Sequence, residues 1–600
     1  MGFFDETEAL LRDWCDGLLA QQIRDPERPD RHGAFACPAC DFLHGRCGDA
    51  VLPLLSMAAL SGEERYRQAA LDVVGWMRNV DAPDGSWTNE VDPGSWKGTT
   101  VFAAIALAEA LEWHGGLLGE PTRAAWRERL RRAGNFILLN FDTEYGNINY
   151  GATATYGLAL LGRLLDEPAF TSRARQLARQ VLGFLTPGLG LLHGEGRPSD
   201  KLTPKGCYAV DLGYNVEESL PALINYALLA FDQEVFDAAM RSMSQHALFL
   251  LPDGGWDNSW GTRNYKWSYW GSRTSDGCQA ALLQLATRQP LYATAAWRNL
   301  RLLRACTHDG LLHGGPHLAS HGVPPCVHHT FCHAKTLAAS LRLRELPIEF
   351  DYQAPLWAED GGTHSVAFPE IATFRAAVGP WQATITAYDW LYRPGVHHAT
   401  GGALSLLWHR DLGLVTASSL ARYVAVEGHN MQPNPDGEDI CLTPRVQLDR
   451  DDDWYTNLFS LRAGVWETRR DDGLELMVEA HVVNRDGDSP ASGPVTFDLR
   501  YRLRDDSVTI SAAPLLPCAD PWTLVLPIIS PSGEPVRWAS ARRVEFSRPE
   551  STLVIEANVP IVRQRTAVER AFNSVGGFEA LPLLFEADGV ERIEVSLSAR

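Results

Sequence analysis

The stretch DGGWDNSWGTRNYKWSYWGSR, residues 253–273, carries the densest set of side chains that could do chemistry. It combines four Trp and two Tyr with two Arg and one Lys, among Gly, Asn and Ser residues that favour turns. Rings beside hydrogen-bonding and cationic groups suit a loop that binds something flat, polar and anionic, such as an acidic sugar chain. We expect the substrate to contact Lys266 and to stack on Trp256, Trp260, Trp267 and Trp270.

The tyrosines of this stretch are candidates for proton transfer. Tyr265, Tyr269 and Arg273 follow one another at intervals of four residues, so neighbours share a face if the segment is helical. A tyrosine that acts as a base near neutral pH needs roughly 4 kcal/mol of stabilisation of its phenolate. Arg273 and Lys266 are cations that could supply part of this stabilisation. The alternative is that these aromatic residues only pack the mouth of a large domain.

Polar residues at a predicted helix start and on a rim loop form a second candidate group. In DLGYNVEESLPALINYA, residues 211–227, Asn215 precedes an apolar run that has Glu218 in its first turn. Both residue types are common at helix starts, so a purely structural role carries equal weight. The functional alternative is that Asn215 donates to a substrate carboxyl group. In NINYGATATYG, Asn149 and Tyr150 suit contacts with sugar hydroxyls.

Histidines, which are common acid–base residues near neutral pH, cluster in two segments. The first is LLHGGPHLASHGVPPCVHHTFCHAK at residues 311–335, and it includes His329. The second is RPGVHHATGGALSLLWH at residues 393–409, where His397 and His398 lie at a Gly-rich entry to a strand. We predict that one of the latter two takes part in catalysis.

The segment CPACDFLHGRC spaces Cys37, Cys40, His44 and Cys47 in a pattern that could chelate a structural zinc ion. The alternatives are a substrate contact through His44 or Arg46, and plain packing. A weaker metal set consists of His398, His409, Asp411 and His429. No nucleotide-binding or nucleophile-elbow motif is present, so no cofactor is required.

Composition narrows the class of partner. The 600 residues include 54 Lys and Arg against 74 Asp and Glu, a net charge of −20, which argues against general binding to nucleic acid or to anionic membranes. A locally basic cleft would still accept a polyanion. The start of the chain lacks the pattern of a secretory signal, and 11 scattered Cys do not indicate a disulfide framework. We expect a cytoplasmic protein, or a periplasmic one if a signal has been removed.

The predicted secondary structure that positions these residues changes from helices to strands near residue 350. Before it, segments such as TVFAAIALAEALEWHG have helical periodicity, and after residue 360 segments such as VTFDLRYRL alternate with period two. Gly-rich polar loops recur from residues 32, 84, 144, 188, 253 and 309, which predicts six helical hairpins. We predict an (α/α)6-like toroid over residues 1–350, with the six loops on one rim, followed by an antiparallel β-sandwich over residues 351–600. An open solenoid of hairpins is the alternative to a closed ring.

At this point the chain resembles the heparinase II/III-like polysaccharide lyases and their relatives that cleave alginate, hyaluronan or chondroitin. Asn215, then Tyr269 or Tyr265, then His398 or His397 follow the family's order of Asn, Tyr and His. The segment HHATGGALSLLWHRDLGLVTAS is similar to the family's His-rich strand pair, although it lacks the H-x-H-x-D pattern, so no metal is assigned there. Val216 stands where several relatives have His, so a separate His from residues 328–333 would have to fill that role, and we expect His329 to bind substrate.

The resemblance implies β-elimination at a uronic acid, with the active site between toroid and β-domain. Asn215, Arg273 and a His would neutralise the carboxylate, and Tyr269 or His398 would remove the C5 proton. The chief alternative is an (α/α)6 glycoside hydrolase for acidic or unsaturated oligosaccharides, with Asp253 or Asp257 opposite Glu195 or Glu218. An epimerase with two His and a non-enzymatic carbohydrate-binding protein are further alternatives.

Overall fold

The computed structural model describes residues 2–197, 199–393, 395–428, 431–437, 440–450, 453–518 and 520–600, without the side chains of residues 449 and 450. Its helices are α1 (Phe3–Gln21), α2 (Val51–Ser61), α3 (Glu64–Trp76), α4 (Thr99–His114), α5 (Glu120–Asn140), α6 (Ile148–Leu165), α7 (Pro168–Leu182), α8 (Leu212–Tyr214), α9 (Leu220–Ala230), α10 (Gln233–His246), α11 (Gln279–Ala286), α12 (Leu291–Ala305) and α13 (Val327–Leu341). Within the described residues, no helix combines the length and the apolar character that a membrane span requires.

Six helices form a closed inner ring. Helix α2 packs on α4, α4 on α6, α6 on α9, α9 on α11 and α11 on α13, and α13 returns to α2. These helices are mostly apolar and buried, whereas the outer helices α3, α5, α7, α10 and α12 carry exposed charged faces. The predicted closure of the toroid is therefore confirmed, and the open solenoid is excluded.

Long and short connections alternate around the ring. The segments that lead from an outer to an inner helix are long, and they contain the six Gly-rich polar loops seen in the sequence. The return connections are short, for example residues 62–63 and 166–167. All six long loops therefore lie at one mouth of the toroid, where the N-termini of the inner helices also meet.

Short strands within two rim loops are β1 (Trp267–Ser268), β2 (Gly271–Ser272), β3 (Thr307–His308) and β4 (Leu311–Leu312). The strands that follow the toroid are β5 (Thr363–Phe368), β6 (Thr373–Val378), β7 (Trp381–Thr386), β8 (Ala403–His409), β9 (Gly413–Ala417), β10 (Arg445–Arg450), β11 (Asp453–Thr456), β12 (Gly464–Arg470), β13 (Gly473–Val482), β14 (Val495–Leu503), β15 (Ser507–Pro514), β16 (Thr523–Ile529), β17 (Val536–Ser540), β18 (Arg543–Ser547), β19 (Thr552–Ala557), β20 (Ile561–Arg563), β21 (Ala571–Asn573), β22 (Phe578–Glu586) and β23 (Ile593–Ala599).

Three antiparallel sheets make up the β-region. Their strand orders are β5-β6-β7-β8-β9, then β11-β10-β16-β22-β20 with β21 beside β22, and β12-β13-β14-β15-β23-β19-β18-β17. Alternate residues of all three sheets share one apolar core, as expected for a sandwich. The predicted fold class is confirmed, while the division at residues 350 and 351 stays a prediction.

The first sheet is joined to the toroid by buried contacts. Phe368 and Tyr388 belong to the core of the toroid. The Tyr388 hydroxyl donates to the carbonyl of Tyr208 at 2.7 Å and accepts from the amide of Val210 at 3.1 Å. Since Val210 immediately precedes the segment that carries α8, the β-region helps to fix that segment at the mouth.

Candidate active site

A cavity of about 640 Å³ opens at the mouth of the toroid. Loops of the toroid and of the β-region both contribute to its wall. The lining residues are Arg46, Asn89, Trp96, Thr99, Phe102, Gly146, Asn147, Asn149, Tyr150, Gly196, Arg197, Tyr214, Glu218, Arg263, Lys266, Thr274, His328, Tyr392, Arg393, Val426 and Glu427.

The N-termini of inner helices converge on this cavity. Thr99 begins α4, Asn149 lies in the first turn of α6, and His328 lies in the first turn of α13. A helix N-terminus carries partial positive charge and unpaired amide groups. Together with the arginines and lysine of the wall, this arrangement favours an anionic ligand, although the whole chain is acidic.

Tyr214, the last residue of α8, forms part of the cavity wall between two cations. Its hydroxyl lies 2.5 Å from the Thr274 hydroxyl and accepts a hydrogen bond from the Lys266 ammonium at 3.4 Å. The Arg263 guanidinium lies 3.7 Å from the centroid of the tyrosine ring. Burial raises the pKa of Tyr214 above its ordinary value, and the Arg263 charge acts in the opposite direction. The free site therefore holds a neutral phenol beside the groups that would stabilise its phenolate.

Asp211 holds the tyrosine and the arginine in place. One carboxylate oxygen accepts from the amide of Tyr214 at 3.1 Å, and the other accepts from the amide of Arg263 at 2.9 Å. The Arg263 side chain is ion-paired with Glu195 at 2.7 Å. Among the described residues, the Nη2 atom of Arg263 has no hydrogen-bond partner. This buried donor lies on a side chain that forms part of the cavity wall.

Glu218, Asn149 and Arg46 form the second polar group of the cavity. The Asn149 amide donates to Glu218 at 2.8 Å, and an Arg46 nitrogen lies 3.6 Å from the other carboxyl oxygen. Burial raises the pKa of Glu218 to about 8, with Asp276 acting in the same direction and Arg46 in the opposite one. At neutral pH Glu218 is therefore mostly protonated and can donate a hydrogen bond to a carboxylate.

The rim offers a ring surface and further charge. Trp96 is 43% exposed, and its indole nitrogen donates to the Tyr150 hydroxyl at 2.9 Å, which fixes the ring beside the opening. Arg197 and Arg393 also line the cavity, in segments from the toroid and the β-region respectively. Aromatic and cationic groups at the rim suit an extended acidic sugar chain.

Five of the residues predicted to bind substrate line the cavity. They are Arg46, Asn149, Tyr150, Glu218 and Lys266. Each lies on a loop or first helical turn at the mouth, as expected from its place in the sequence. Their contacts with a substrate stay a prediction.

The structure places both predicted tyrosines elsewhere. The Tyr269 hydroxyl donates to Asp253 at 2.6 Å, and its ring packs on Phe578 at 5.2 Å, inside an apolar cluster. Tyr265 is buried in the same cluster, with its hydroxyl 3.4 Å from Glu427. The expected helical face is absent from residues 265–273, which form the hairpin β1–β2 after a 3-10 turn. Neither ring lines the cavity, so the predicted placement is corrected.

Asn215 and Arg273 also make their contacts within the protein and not at the cavity. The Asn215 amide donates to the carbonyl of Leu192 at 2.7 Å and lies 3.0 Å from a His246 nitrogen, within the toroid. Arg273 is buried and donates to the carbonyl of Ser574 in the β-region. Neither side chain lines the cavity, which contradicts the position that we predicted for them.

The predicted histidines also lie away from the cavity. His398 is buried beside the Tyr388 ring, and burial lowers its pKa to about 4. The His397 ring packs on Phe459 at 4.9 Å. His329 is buried near Trp270, one position from His328, which does line the cavity. The strand-entry histidines are therefore wrongly placed by the sequence pattern.

The predicted stacking tryptophans belong to the protein core. Trp267 donates to the carbonyl of Trp256 at 2.8 Å, and Trp270 donates to the carbonyl of His313 at 2.8 Å. Trp260 packs on Phe249. All four predicted rings, Trp256, Trp260, Trp267 and Trp270, are completely buried, so none can stack on a sugar. Their contacts instead make the loop rigid.

The carboxylates needed by a hydrolase do not face one another across the cavity. Asp253 accepts from Tyr269, and Asp257 accepts from Ser259 at 2.6 Å. Glu195 lies behind Arg263, and only Glu218 of the four proposed acids is in the lining.

The structure also differs from the sequence prediction in which residues could bind a metal. Cys326 replaces Cys47 in the group with Cys37 and His44, while Cys47 lies in the toroid core. Of the weaker set, His429 lies outside the described residues. The His409 ring packs on Trp381 at 4.4 Å and the His398 ring on Tyr388, so those two do not form a common site.

Several cavity residues were missed by sequence reasoning, above all Tyr214, Arg263 and Trp96. Tyr214 and Glu218 are four residues apart and share one face of the helical segment that contains the π-turn Asn215–Ser219. Arg263 is the N-cap and Lys266 the last residue of a 3-10 turn, in which residues three apart eclipse. The spacing of Tyr214 from Glu218, and of Arg263 from Lys266, was the signal in the sequence that could have identified Tyr214 and Arg263.

Comparisons with known proteins agree with this geometry. The profile of the ulvan lyase N-terminal domain matches residues 11–357, and that of the ulvan lyase C-terminal domain matches residues 366–600. A broad-specificity ulvan lyase of Formosa agariphila is 43% identical over 587 residues, which are 97% of this chain and 91% of that protein.

Solved structures show the same fold at low sequence identity. A heparinase III superposes with a TM-score of 0.50 and 12% identity, over 98% of this chain and 84% of that one. The chondroitin AC lyase of Streptomyces coelicolor, in complex with chondroitin sulphate, gives a TM-score of 0.53 and 12% identity, over 99% and 79% of the two chains.

The closed helical toroid with antiparallel sheets at its mouth is the fold of the solved toroid-and-sandwich structures. The two domain matches and the 43% identical relative place the chain among the polysaccharide lyases. The matches over both regions make the assignment more specific, and the chain belongs to the ulvan lyase family. It is a carbohydrate-active polysaccharide lyase, so the predicted enzyme class is confirmed and the hydrolase alternative is not favoured.

Proposed function

We propose that the protein cleaves ulvan, or a closely similar uronate-containing polysaccharide, by β-elimination in the cavity around Tyr214. The name of its relative from Formosa agariphila supports the substrate. The observation that carries the mechanism is the position of the Tyr214 hydroxyl, which accepts from Lys266 at 3.4 Å beside the Arg263 guanidinium. Tyr150 and Tyr392 also line the cavity, but their hydroxyls bond to Trp96 and to Asn147 respectively, whereas the Tyr214 hydroxyl accepts from a cation.

The first task of the site is to make the C5 proton of the uronate acidic. Hydrogen-bond donors on the carboxylate stabilise the enolate-like charge that develops as the proton leaves. Neutral Glu218 is one donor, and the unpartnered Nη2 atom of Arg263 is another. Arg46 is a positioning residue, since its guanidinium is already engaged by Asp49 at 2.7 Å and by Asp276.

The second task is proton removal. The neutral Tyr214 phenol first loses its proton to solvent, and the Lys266 ammonium and the Arg263 guanidinium stabilise the resulting phenolate. The phenolate then takes the C5 proton. The electrons of the C5–H bond form the C4–C5 double bond, and the C4–O bond breaks. The neutral phenol then returns its proton to the leaving glycosidic oxygen, which regenerates the phenolate and yields an unsaturated uronate and a new sugar hydroxyl.

The third task is to hold a chain of sugars across the mouth. Trp96 presents an exposed ring, while Arg197 and Arg393 supply positive charge at the rim. Both chemical types match an acidic polysaccharide. We assign them to sugar units on either side of the cleaved bond.

The test is incubation with ulvan in parallel with heparan sulfate, chondroitin sulfate and alginate, followed by ultraviolet absorbance and mass spectrometry in heavy-oxygen water. Elimination predicts an absorbance rise on ulvan and products without heavy oxygen, because no water is added. New chain ends that contain heavy oxygen and lack absorbance would contradict the proposal. An absorbance rise only on another polysaccharide would support elimination but reject ulvan as the substrate.

A further inference from the structure

Three cysteines and one histidine come together behind the first rim loop. The Sγ atoms of Cys37 and Cys326 lie 3.6 Å apart, and the Sγ atom of Cys40 lies 3.4 Å from the Nε2 atom of His44. The ligand atoms of Cys37, His44 and Cys326 all lie within 4.8 Å of one another. Two distant parts of the chain thus supply three ligand atoms to one point, and Cys40 lies beside them through its contact with His44.

Two of the separations between these atoms fit a tetrahedral metal site. Zinc bonds of about 2.3 Å to sulfur and about 2.0 Å to nitrogen place neighbouring ligand atoms about 3.8 Å (S to S) and about 3.6 Å (S to N) apart. The observed separations of 3.6 and 3.4 Å are close to these values. A disulfide would instead require sulfur atoms at about 2.05 Å.

We propose that Cys37, Cys40, His44 and Cys326 bind a structural zinc ion. The set offers three thiolates and one imidazole, and it leaves no ligand position for water or substrate, as is typical of a structural rather than a catalytic site. Each thiol loses its proton to solvent when the ion binds. Cys326 and His44 are buried, whereas Cys37 and Cys40 are partly exposed and provide the path for the ion.

The location gives the ion a mechanical role. Cys37, Cys40 and His44 lie on the long connection between α1 and α2, and Cys326 immediately precedes α13. The His44 ring lies 4.9 Å from the ring of His328, which lines the cavity. The ion would therefore clip a rim loop to the N-terminus of an inner helix, at the seam where the ring closes.

The inference does not depend on the proposed reaction, since its readout is metal content. The full chain is produced with zinc in the medium, passed through gel filtration and analysed by elemental mass spectrometry. Wild type is expected to retain about one zinc ion per chain. Cys326→Ser is expected to lose it, and Cys47→Ala, which removes a nearby thiol outside the group, is expected to keep it.

Two measurements on the wild-type chain cover the case in which Cys326→Ser does not fold. Cobalt substituted for zinc should give the visible absorption of tetrahedral thiolate coordination, and a chelator should expose thiols that a colour reagent could not reach before. A chain without zinc or cobalt binding would overturn the proposal. So would equal metal loss in Cys47→Ala, or an intact mass two hydrogens lower that reductant restores, which would reveal a Cys37–Cys326 disulfide.

Discussion

The Nζ atom of Lys266 lies 3.4 Å from the hydroxyl oxygen of Tyr214, on the wall of a cavity between the toroid and the β-region. The lysine is also ion-paired with Glu427 from the β-region. The proton-transfer group of the toroid is therefore linked through one ammonium group to the other half of the molecule. Loss of either partner should affect catalysis more than folding.

Replacement of Lys266 by Gln removes the cation that faces the phenol oxygen. We expect kcat to fall about 10- to 100-fold, equivalent to roughly 1.4–2.7 kcal/mol of transition-state stabilisation. The rise of activity with pH should also move to higher pH, because loss of a cation raises the pKa of the phenol. Rates with ulvan across a pH series measure both effects.

Lys201→Gln is the matched control, because Lys201 is an exposed lysine near Trp390, outside the cavity wall. It should keep the wild-type kcat and pH profile. An unchanged rate in Lys266→Gln would remove Lys266 from the mechanism.

Glu218 makes substrate binding depend on pH. Because its pKa is about 8, the group is neutral at pH 7 and becomes a carboxylate as the pH rises through that value. The new negative charge repels the uronate, so KM of the wild type should increase above pH 8. Glu218→Gln cannot ionise and should have a flat KM over the same range.

The raised pKa of Glu218 should also make the stability of the folded chain fall as the pH rises. A carboxyl group whose folded-state pKa is raised stabilises the folded chain less as pH rises between the unfolded and folded pKa values. Glu218→Gln should thus be less destabilised than wild type by a change from pH 6 to pH 9.

Glu109→Gln, which alters another buried acid with a pKa of about 7, is outside the cavity and should retain the increase in KM. A pH-dependent KM in Glu218→Gln would contradict the assignment.

Trp96 should bind sugar without taking part in bond cleavage. Trp96→Ala removes an exposed ring at the rim, so we expect KM to rise about 5- to 15-fold, with kcat unchanged, for a contact of roughly 1–1.5 kcal/mol. Trp466→Ala is the control, because Trp466 has similar exposure, 48% against 43%, but lies on β12 of the sandwich. Equal KM values for the two variants would exclude stacking on Trp96.

The fold could be predicted because its periodicities are long and repeated. Inner helices that are apolar on nearly every face and polar outer helices leave few ways to bury the apolar surface other than a closed ring. The loops were equally clear, since Gly-rich segments recur between helix pairs. Ring closure itself depends on the contact between α13 and α2, which no local pattern contains.

The site was predicted only in part because side-chain direction depends on local geometry. Asn215 was chosen although its neighbour Tyr214 faces the cavity, since successive helical residues point about 100° apart. Lys266 was identified correctly as a wall residue, whereas Tyr265 and Trp267 on either side of it point into the core. Ring-rich loops resemble binding surfaces in sequence, and here burial of the rings makes them structural.

The cluster of three cysteines and one histidine shows a different limit of prediction from sequence. Cys37, Cys40 and His44 were recognisable from their spacing, but the fourth member is Cys326, nearly 290 residues away. Local spacing favoured Cys47, which the chain turns into the core. Only the closure of the ring brings Cys326 to the first rim loop.

The most direct test of the account compares the initial rate of unsaturated-product formation from ulvan by Tyr214→Phe and Tyr269→Phe. We predict that Tyr214→Phe loses about 10²- to 10⁴-fold in kcat, the usual contribution of a proton-transfer group, and remains folded at the assay temperature. Tyr269→Phe should keep its rate and lose about 1–3 kcal/mol of stability, because Asp253 loses the hydroxyl that binds it. Full activity in Tyr214→Phe together with an inactive, folded Tyr269→Phe would contradict the account.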